Sequence, residues 1–284
     1  MDDLSEAEFP ADAVALVDDW SAVEAIGPDA AKFLNGFCTN DVAKLAEGES
    51  CEAMFTDVKA RVIAHAWVAR IGEERFVSLL SSDRAETLAA HLDRYLIRER
   101  VELTVLPSTP WKLCRASGDA DVAVAIDAFG AGVVASPLAM TADAGGEPMA
   151  PDSFERIRIA RGVPRDGVDV DERNLPQEVD RNDLAISFTK GCYLGQEPVA
   201  RIDALGRVNW LLRGLRVAAS PPARDAEIVI DGKRVGRVTS SAPLEGDATA
   251  SVALAYVRRE HAAEGGVAEV AGASATIHTL PMRR

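Results

Sequence analysis

Residues 190–201 read Lys190-Gly191-Cys192-Tyr193-Leu194-Gly195-Gln196-Glu197-Pro198-Val199-Ala200-Arg201. Two glycines permit tight turns and a close approach of backbone to a ligand. Around them stand an ammonium, a thiol, a phenol, an amide, a carboxylate and a guanidinium, a high density of different polar groups. Lys190 and Arg201 near Cys192 can lower the thiol's pKa and make it a better nucleophile. The same residues also read as a surface turn around a buried, inert cysteine. Spacing alone leaves both readings open.

Outward from this segment the charge changes. Between residues 154 and 216 eleven Lys or Arg face ten Asp or Glu, a balance of +1. The whole chain carries −14, so the remainder carries −15. A locally neutral, arginine-rich stretch in an acidic chain can receive an anionic small molecule. It can equally pair internally with its acidic neighbours. The acidic whole argues against general binding to nucleic acid or to anionic membrane.

The 284 residues allow two or three domains, and 48% hydrophobic with 27% charged content is ordinary for a globular chain. No apolar run approaches the roughly 18 residues of a membrane span. Residues 1–9 hold four acids and no base, unlike a signal peptide, so a cytoplasmic protein is expected. Cys38, Cys51, Cys114 and Cys192 form no Cys-x-x-Cys pair, and the four histidines are scattered, so no metal site is expected. His91 reads as a packing or surface residue of a helix.

Residues 28–37 predict a helix opened by Pro28, with Ala30, Phe33, Leu34 and Phe37 on one face. Residues 53–70 read as strand, turn, strand, and 76–80 as a further strand. A helix is predicted over 83–98, then a strand over 101–106. Residues 111–115 begin a second set of strands, and 141–148 read as an exposed loop. Asp152 and Glu155 have capping-box spacing before a helix ending at Gly162. From about 206 the texture is strands only: 211–217, 227–230, 233–239, 251–258 and 275–280. Asp231-Gly232 is a hairpin signal. The order predicts an α+β region followed by a small β-barrel.

Lys190-Gly191-Cys192-Tyr193-x-Gly195-Gln196-Glu197, followed by Arg201, resembles the signature of the YgfZ folate-binding proteins, relatives of the glycine-cleavage T-protein aminomethyltransferase. The resemblance extends along the chain. Phe33-Leu34-Asn35-Gly36 with Thr39-Asn40-Asp41, and Asp57-x-Lys59-x-Arg61, are similar to N-terminal blocks of that family, although Ala60 replaces a usual glycine. Residues 162–164 and Leu175-Pro176-Gln177-Glu178 are similar to the stretch leading into the signature. Gly236-Arg237-Val238-Thr239-Ser240 and Ala253-Leu254-Ala255 are similar to the shared barrel.

The resemblance implies an α+β, three-lobed T-protein-like fold: two interleaved α+β lobes and a C-terminal β-barrel around a central cavity. The lobes are expected at about 1–50 with 110–205, and at 51–109, with the barrel at 206–284. It implies that tetrahydrofolate or a derivative binds the cavity. It also implies transient partnership with iron–sulfur enzymes, tRNA-modifying ones among them, in their assembly or repair. Cys192 is the expected functional thiol. Asn40, Asp41, Lys59, Arg61, Glu178, Lys190, Tyr193, Gln196, Glu197 and Arg201 are the expected folate contacts. Glu178 or Glu197 would meet the pterin edge, and Lys59, Arg61 or Arg201 the tail carboxylates.

The alternative is aminomethyl transfer of the T-protein kind. Against it, Ala64-His65 stands where the T-protein carries paired aspartates, and residues 129–137 do not resemble its Gly-Tyr-Thr-Gly-Glu block. Two further alternatives are a thiol redox enzyme using Cys192 and an interaction protein with a vestigial cavity.

Overall fold

A computed structural model describes residues 8–107, 109–115, 121–140, 146–206 and 208–282. Most of the loop expected at 141–148 lies outside them. Its end, Glu147–Pro148, pairs in parallel with the strand Ala13–Val17.

Two five-stranded sheets and one closed barrel are formed by the described residues. The first sheet runs, in spatial order, Glu147–Pro148, Ala13–Val17, Trp111–Arg115, Val133–Pro137 and Val124–Ala125. The second, wholly antiparallel, runs Ser50–Thr56, Val62–Gly72, Arg75–Leu80, Ser21–Ile26 and Glu102–Val105. The chain thus leaves the first sheet between Val17 and Ser21, about thirty residues before the boundary expected from sequence, and returns at Trp111.

The long strand Val62–Gly72, second in this sheet, is buried on both faces over most of its length and uses its alternation to serve two cores. Trp67 and Ala69 face the first sheet, where Trp20 stacks on Trp67 with ring centroids 5.4 Å apart. Ala64, Ala66 and Val68 face the opposite core. That core is covered by α1 (Ala30–Asn35) through Phe33 and Leu34, and by α2 (Ala85–Asp93) through Leu88 and Leu92.

Helix boundaries differ from expectation in specific ways. Pro28 lies outside α1, whose N-cap is Asp29. Phe37 follows the helix, half-buried, its ring 4.9 Å from Phe33 and 4.7 Å from Tyr95. Helix α2 stops at Asp93, five residues early, and His91 is buried on it. Helix α3 (Pro151–Ala160) is capped by Ala150 with Pro151 at its first position, and Asp152 makes no cap. Glu155 instead pairs with Arg158 one turn on. Gly162 follows α3 in the left-handed conformation, as an end-of-helix glycine should.

The barrel closes in the order Trp210–Val217, Asp247–Arg258, Lys233–Leu244, Glu227–Ile230, Val267–Val270 and Ala273–His278. Asp231 and Gly232 both adopt positive φ, 51° and 70°, the geometry of a two-residue hairpin turn. A third apolar cluster fastens the barrel to the α+β region: Leu212, Leu254 and Tyr256 pack with Met54, Val62, Ile159 and Val179.

Polar clamps reinforce this junction, the first of them buried. Asp169, wholly buried, accepts from Arg158 at 2.7 Å, from the Arg165 amide at 2.9 Å and from Ser240 at 2.7 Å. Arg213 on the barrel pairs with Asp180, and Arg156 with Glu245. Most arginines between 154 and 216 are therefore committed to carboxylates, and internal pairing, not anion capture, accounts for their density.

Candidate functional site

Three segments wall a cavity of about 580 Å³ between the second sheet and the barrel. Arg61 comes from the turn joining Ser50–Thr56 to Val62–Gly72. Arg173, Asn174, Leu175 and Glu178 come from the segment before the signature, which ends in a tight turn over Pro176–Val179. Trp210, Arg237, Tyr256 and Arg258 lead the barrel's contribution. Gly236 also lines this wall, and a Cβ there would stand 2.4 Å from the Tyr256 carbonyl oxygen, so the strands approach closely.

The cavity has three chemically distinct parts. Trp210 offers a flat face, with Arg258 4.9 Å from its ring, and the Tyr256 ring is covered by Arg237 at 5.7 Å. Tyr256 is 3% exposed, and its hydroxyl has no hydrogen-bond partner among the described residues. Glu178 is also buried. One carboxyl oxygen accepts from the Leu175 amide at 3.0 Å. Burial raises its pKa, with that amide and nearby Arg61 pulling the other way. Five arginines line the remaining wall; Arg173, Arg234 and Arg237 pair with Asp171, Glu227 and Asp225, while Arg61 and Arg258 make no ion pair among the described residues. An acid-edged, aromatic-faced, cation-rimmed cavity of this size suits a flat heterocycle bearing carboxylates.

Of the residues expected from sequence, only Arg61 and Glu178 line this cavity. The signature lies mostly elsewhere, wedged against the N-terminal block. Residues 187 and 194 hydrogen-bond to the backbone of Thr39 and Gly36. Lys190 is buried, and its ammonium donates to the carbonyls of Asn35, Cys38 and Asn40 at 2.8, 2.8 and 2.6 Å. Its three protons are thereby used. Burial lowers its pKa, and it faces the Cys38 sulfur at 3.9 Å, not Cys192. Tyr193 lies beneath it, ring centroid 5.1 Å away.

Asn40 spends its side-chain amide on the carbonyls of Glu52 and Leu184, and Asp41 pairs with Lys44. Lys59 is exposed at the tip of its turn. Gln196, Glu197 and Arg201 are not loop residues but part of α5 (Gln196–Leu205), preceded by α4 (Asn182–Ala185). Gly195 starts α5 at φ +83°, and a Cβ there would stand 2.5 Å from the Asp57 carbonyl oxygen. The second signature glycine is thus what lets α5 approach the 57–61 turn. At that turn Ala60 replaces the family's usual glycine yet keeps a left-handed φ of +61°.

Cys192 is exposed, the one accessible thiol besides half-buried Cys51, and all four cysteines are free. Burial pushes the Cys38 thiol up and the Cys51 thiol up to about 12, so neither is a ready nucleophile. No cluster of three or more His, Cys, Asp or Glu able to hold a metal occurs among the described residues. No helix among them is long and apolar enough to cross a membrane. Ala64 is buried in the helix-covered core, and His65 is buried against Glu52 at 2.8 Å. Neither contributes to the cavity.

Comparison with known proteins places this architecture. The family model of the GCVT N-terminal domain matches residues 5–113, and that of the glycine cleavage T-protein C-terminal barrel domain matches 211–282. The chain is 25% identical over 278 residues to the tRNA-modifying protein YgfZ of Cronobacter sakazakii, covering 85% of this chain and 83% of that one. It is 25% identical to a mitochondrial iron–sulfur cluster assembly factor IBA57 homolog of Neurospora crassa, over 64% of this chain and 48% of the relative. A putative chloroplastic transferase of Arabidopsis thaliana is likewise 25% identical, over 86% of this chain and 65% of that one. This chain therefore spans less than two thirds of the fungal and plant relatives. The crystal structure of the glycine cleavage system aminomethyltransferase T from Bartonella henselae superposes with a TM-score of 0.76 at 17% identity, over 95% of this chain and 86% of that one. The three-lobed α+β fold with its terminal barrel is thus that of the T-protein, and the matches to both T-protein domains, to YgfZ and to IBA57 support a YgfZ-like family related to it.

Proposed function

We propose that the cavity binds a reduced folate, and that the protein is a cytoplasmic accessory factor for the assembly or repair of iron–sulfur enzymes. The observation that carries the reading is the cavity's composition. A buried carboxyl with a raised pKa and an orphaned tyrosine hydroxyl stand beside a tryptophan face, within a ring of arginines. A pterin presents hydrogen-bonding groups on its edge and a flat face, and the folate tail ends in carboxylates. Glu178 meets the edge, Trp210 the face, and the arginines the tail. A bound reduced folate supplies a carrier for one-carbon units. The accessory role is supported by relatives named as a tRNA-modifying protein and as an iron–sulfur cluster assembly factor.

Folate binding to the native state alone raises the melting temperature. Tetrahydrofolate at 100 times its dissociation constant is expected to add about 2.7 kcal/mol. An unchanged melting curve with several reduced folates at millimolar concentration contradicts the proposal.

Cys192 provides a separate test of the cellular role. It is exposed, so Cys192→Ala is expected to shift stability by less than about 0.5 kcal/mol. Cellular function should nevertheless be lost. Complementation of a deletion strain, scored by a radical iron–sulfur tRNA-modifying enzyme, reads this beside a melting curve. Full complementation favours an interaction protein with a vestigial cavity.

A further inference from the structure

A second, smaller space adjoins the signature helix. The turn Pro176–Val179 gives Glu178 to the cavity and Gln177 to a different space, a hole of about 220 Å³. Asp180 and Asn182 follow on the same segment. Helix α5 supplies Ile202 and Asp203 from its last turn, and Val208 and Leu211 lead into the barrel.

The hole is rich in acceptors that lack donors. Gln177 is 4% exposed, and its amide nitrogen donates to the Val199 carbonyl at 2.7 Å. That bond fixes which end of the amide is nitrogen, so Oε1 is the end left without a partner among the described residues. The side-chain oxygen of Asn182 is buried and unpartnered in the same way. A buried acceptor without a donor is unfavourable. Asp180 gives one carboxyl oxygen to Arg213, and Asp203, exposed, makes no ion pair among the described residues. The C-terminal end of α5 adds partial negative charge, and its last turn holds no basic residue. Among the described residues the wall has one cation, Arg259, which donates to the Gly206 carbonyl. Ile202, Val208 and Leu211 make the rest of the lining apolar.

We propose that this hole is a site for a primary ammonium group on an aliphatic stem. Three N–H donors answer the Gln177 and Asn182 oxygens and a carboxylate, and the methylenes lie along Ile202, Val208 and Leu211. Lys190 shows how this chain houses such a head, its buried ammonium being spent on three carbonyl oxygens. A bare metal ion leaves the apolar wall unused. A quaternary ammonium leaves both amide oxygens without donors. The site stands independently of the folate reading.

The test is an NMR titration of the full chain with n-butylammonium, followed through the side-chain amide signals of Gln177 and Asn182. Saturable binding is expected with a dissociation constant on the order of 1 mM, in keeping with so small a ligand. n-Butyltrimethylammonium has the same charge and no donor, and should bind at least about tenfold more weakly. Asp203→Asn should weaken binding of the primary amine about two- to fivefold. Arg259→Gln removes a like charge and should strengthen it by a similar factor. Nα-acetyl-lysine amide and putrescine separate the two sources of such a group. Tighter binding of the first assigns it to a lysine side chain of a protein, tighter binding of the second to a free diamine, and binding of either upholds the site. Amide signals that stay in place at n-butylammonium concentrations far above the expected constant overturn it. Equal affinity for the quaternary amine, or an affinity unchanged in both variants, overturns it as well.

Discussion

Replacing Arg181 with methionine is expected to destabilise the protein by about 3–5 kcal/mol at neutral pH. Arg181 grips Glu52 through both of its carboxyl oxygens at 2.5 Å and donates also to the Gly162 carbonyl at 2.9 Å. His65 holds one of the same oxygens at 2.8 Å. All three side chains are buried, and Glu52 sits on the second sheet while Arg181 follows the turn that positions Glu178. Methionine keeps the length and removes the charge, leaving a buried carboxylate with its main partner gone. Burial opposes ionisation of Glu52, yet the Arg181 charge and the hydrogen bonds from Arg181 and His65 overcome it and hold the carboxyl far below the usual carboxylate range. A depressed folded-state pKa contributes stability above the unfolded value of about 4.3, and that contribution is lost as pH falls towards the folded value. In Arg181→Met the native state can take up the proton too, so its deficit should narrow below about pH 4. Denaturant unfolding at pH 7 and near pH 3.5 checks both parts. A deficit independent of pH contradicts the assignment.

Lys190→Met is expected to lose about 3 kcal/mol or more, although lysine stands in a segment read from sequence as a ligand contact. Three carbonyls, from Asn35, Cys38 and Asn40, would lose their shared donor in a buried setting, and each such loss is worth about 1–3 kcal/mol. The damage should be local to the contact between the signature and the N-terminal block, 150 residues or more apart in sequence. Proteolysis or hydrogen exchange of residues 35–41 reads that opening. A variant that melts like wild type but binds folate poorly would instead make Lys190 a cavity residue.

The two cases mark where sequence reading succeeds and where it stops. Local signals announced many of the strands and the Asp231-Gly232 barrel hairpin, whereas the N-terminal strands Ala13–Val17 and Ser21–Ile26 went unread. The strand Val267–Val270 went unread because it is short and lies between glycine-rich turns. The signature revealed the family but misplaced its own chemistry. Six of its residues looked like one polar loop, yet they divide between a buried staple at Lys190 and the helix α5. Trp210, Tyr256 and Arg258 had no local signal. Trp210 meets Arg258 only through strand register, and Tyr256 looks like an ordinary barrel residue. The one pointer was Gly236-Arg237, where a glycine within a strand marks a close backbone approach. The arginine count between 154 and 216 could not separate ligand contacts from ion pairs, since pairing is decided by tertiary neighbours.

The central claim is that one cavity, walled by Glu178, Trp210, Tyr256 and arginines, holds a reduced folate. Isothermal titration of tetrahydrofolate into the wild type, Trp210→Ala and Glu178→Gln tests it most directly. Saturable binding to the wild type is predicted, weakened about 10- to 100-fold in Trp210→Ala by loss of the aromatic face and the Arg258 contact it supports. Glu178→Gln should weaken binding about tenfold, as one hydrogen-bonding partner of the pterin edge changes character. Equal affinity in all three proteins, or no heat with any of them, would contradict the account.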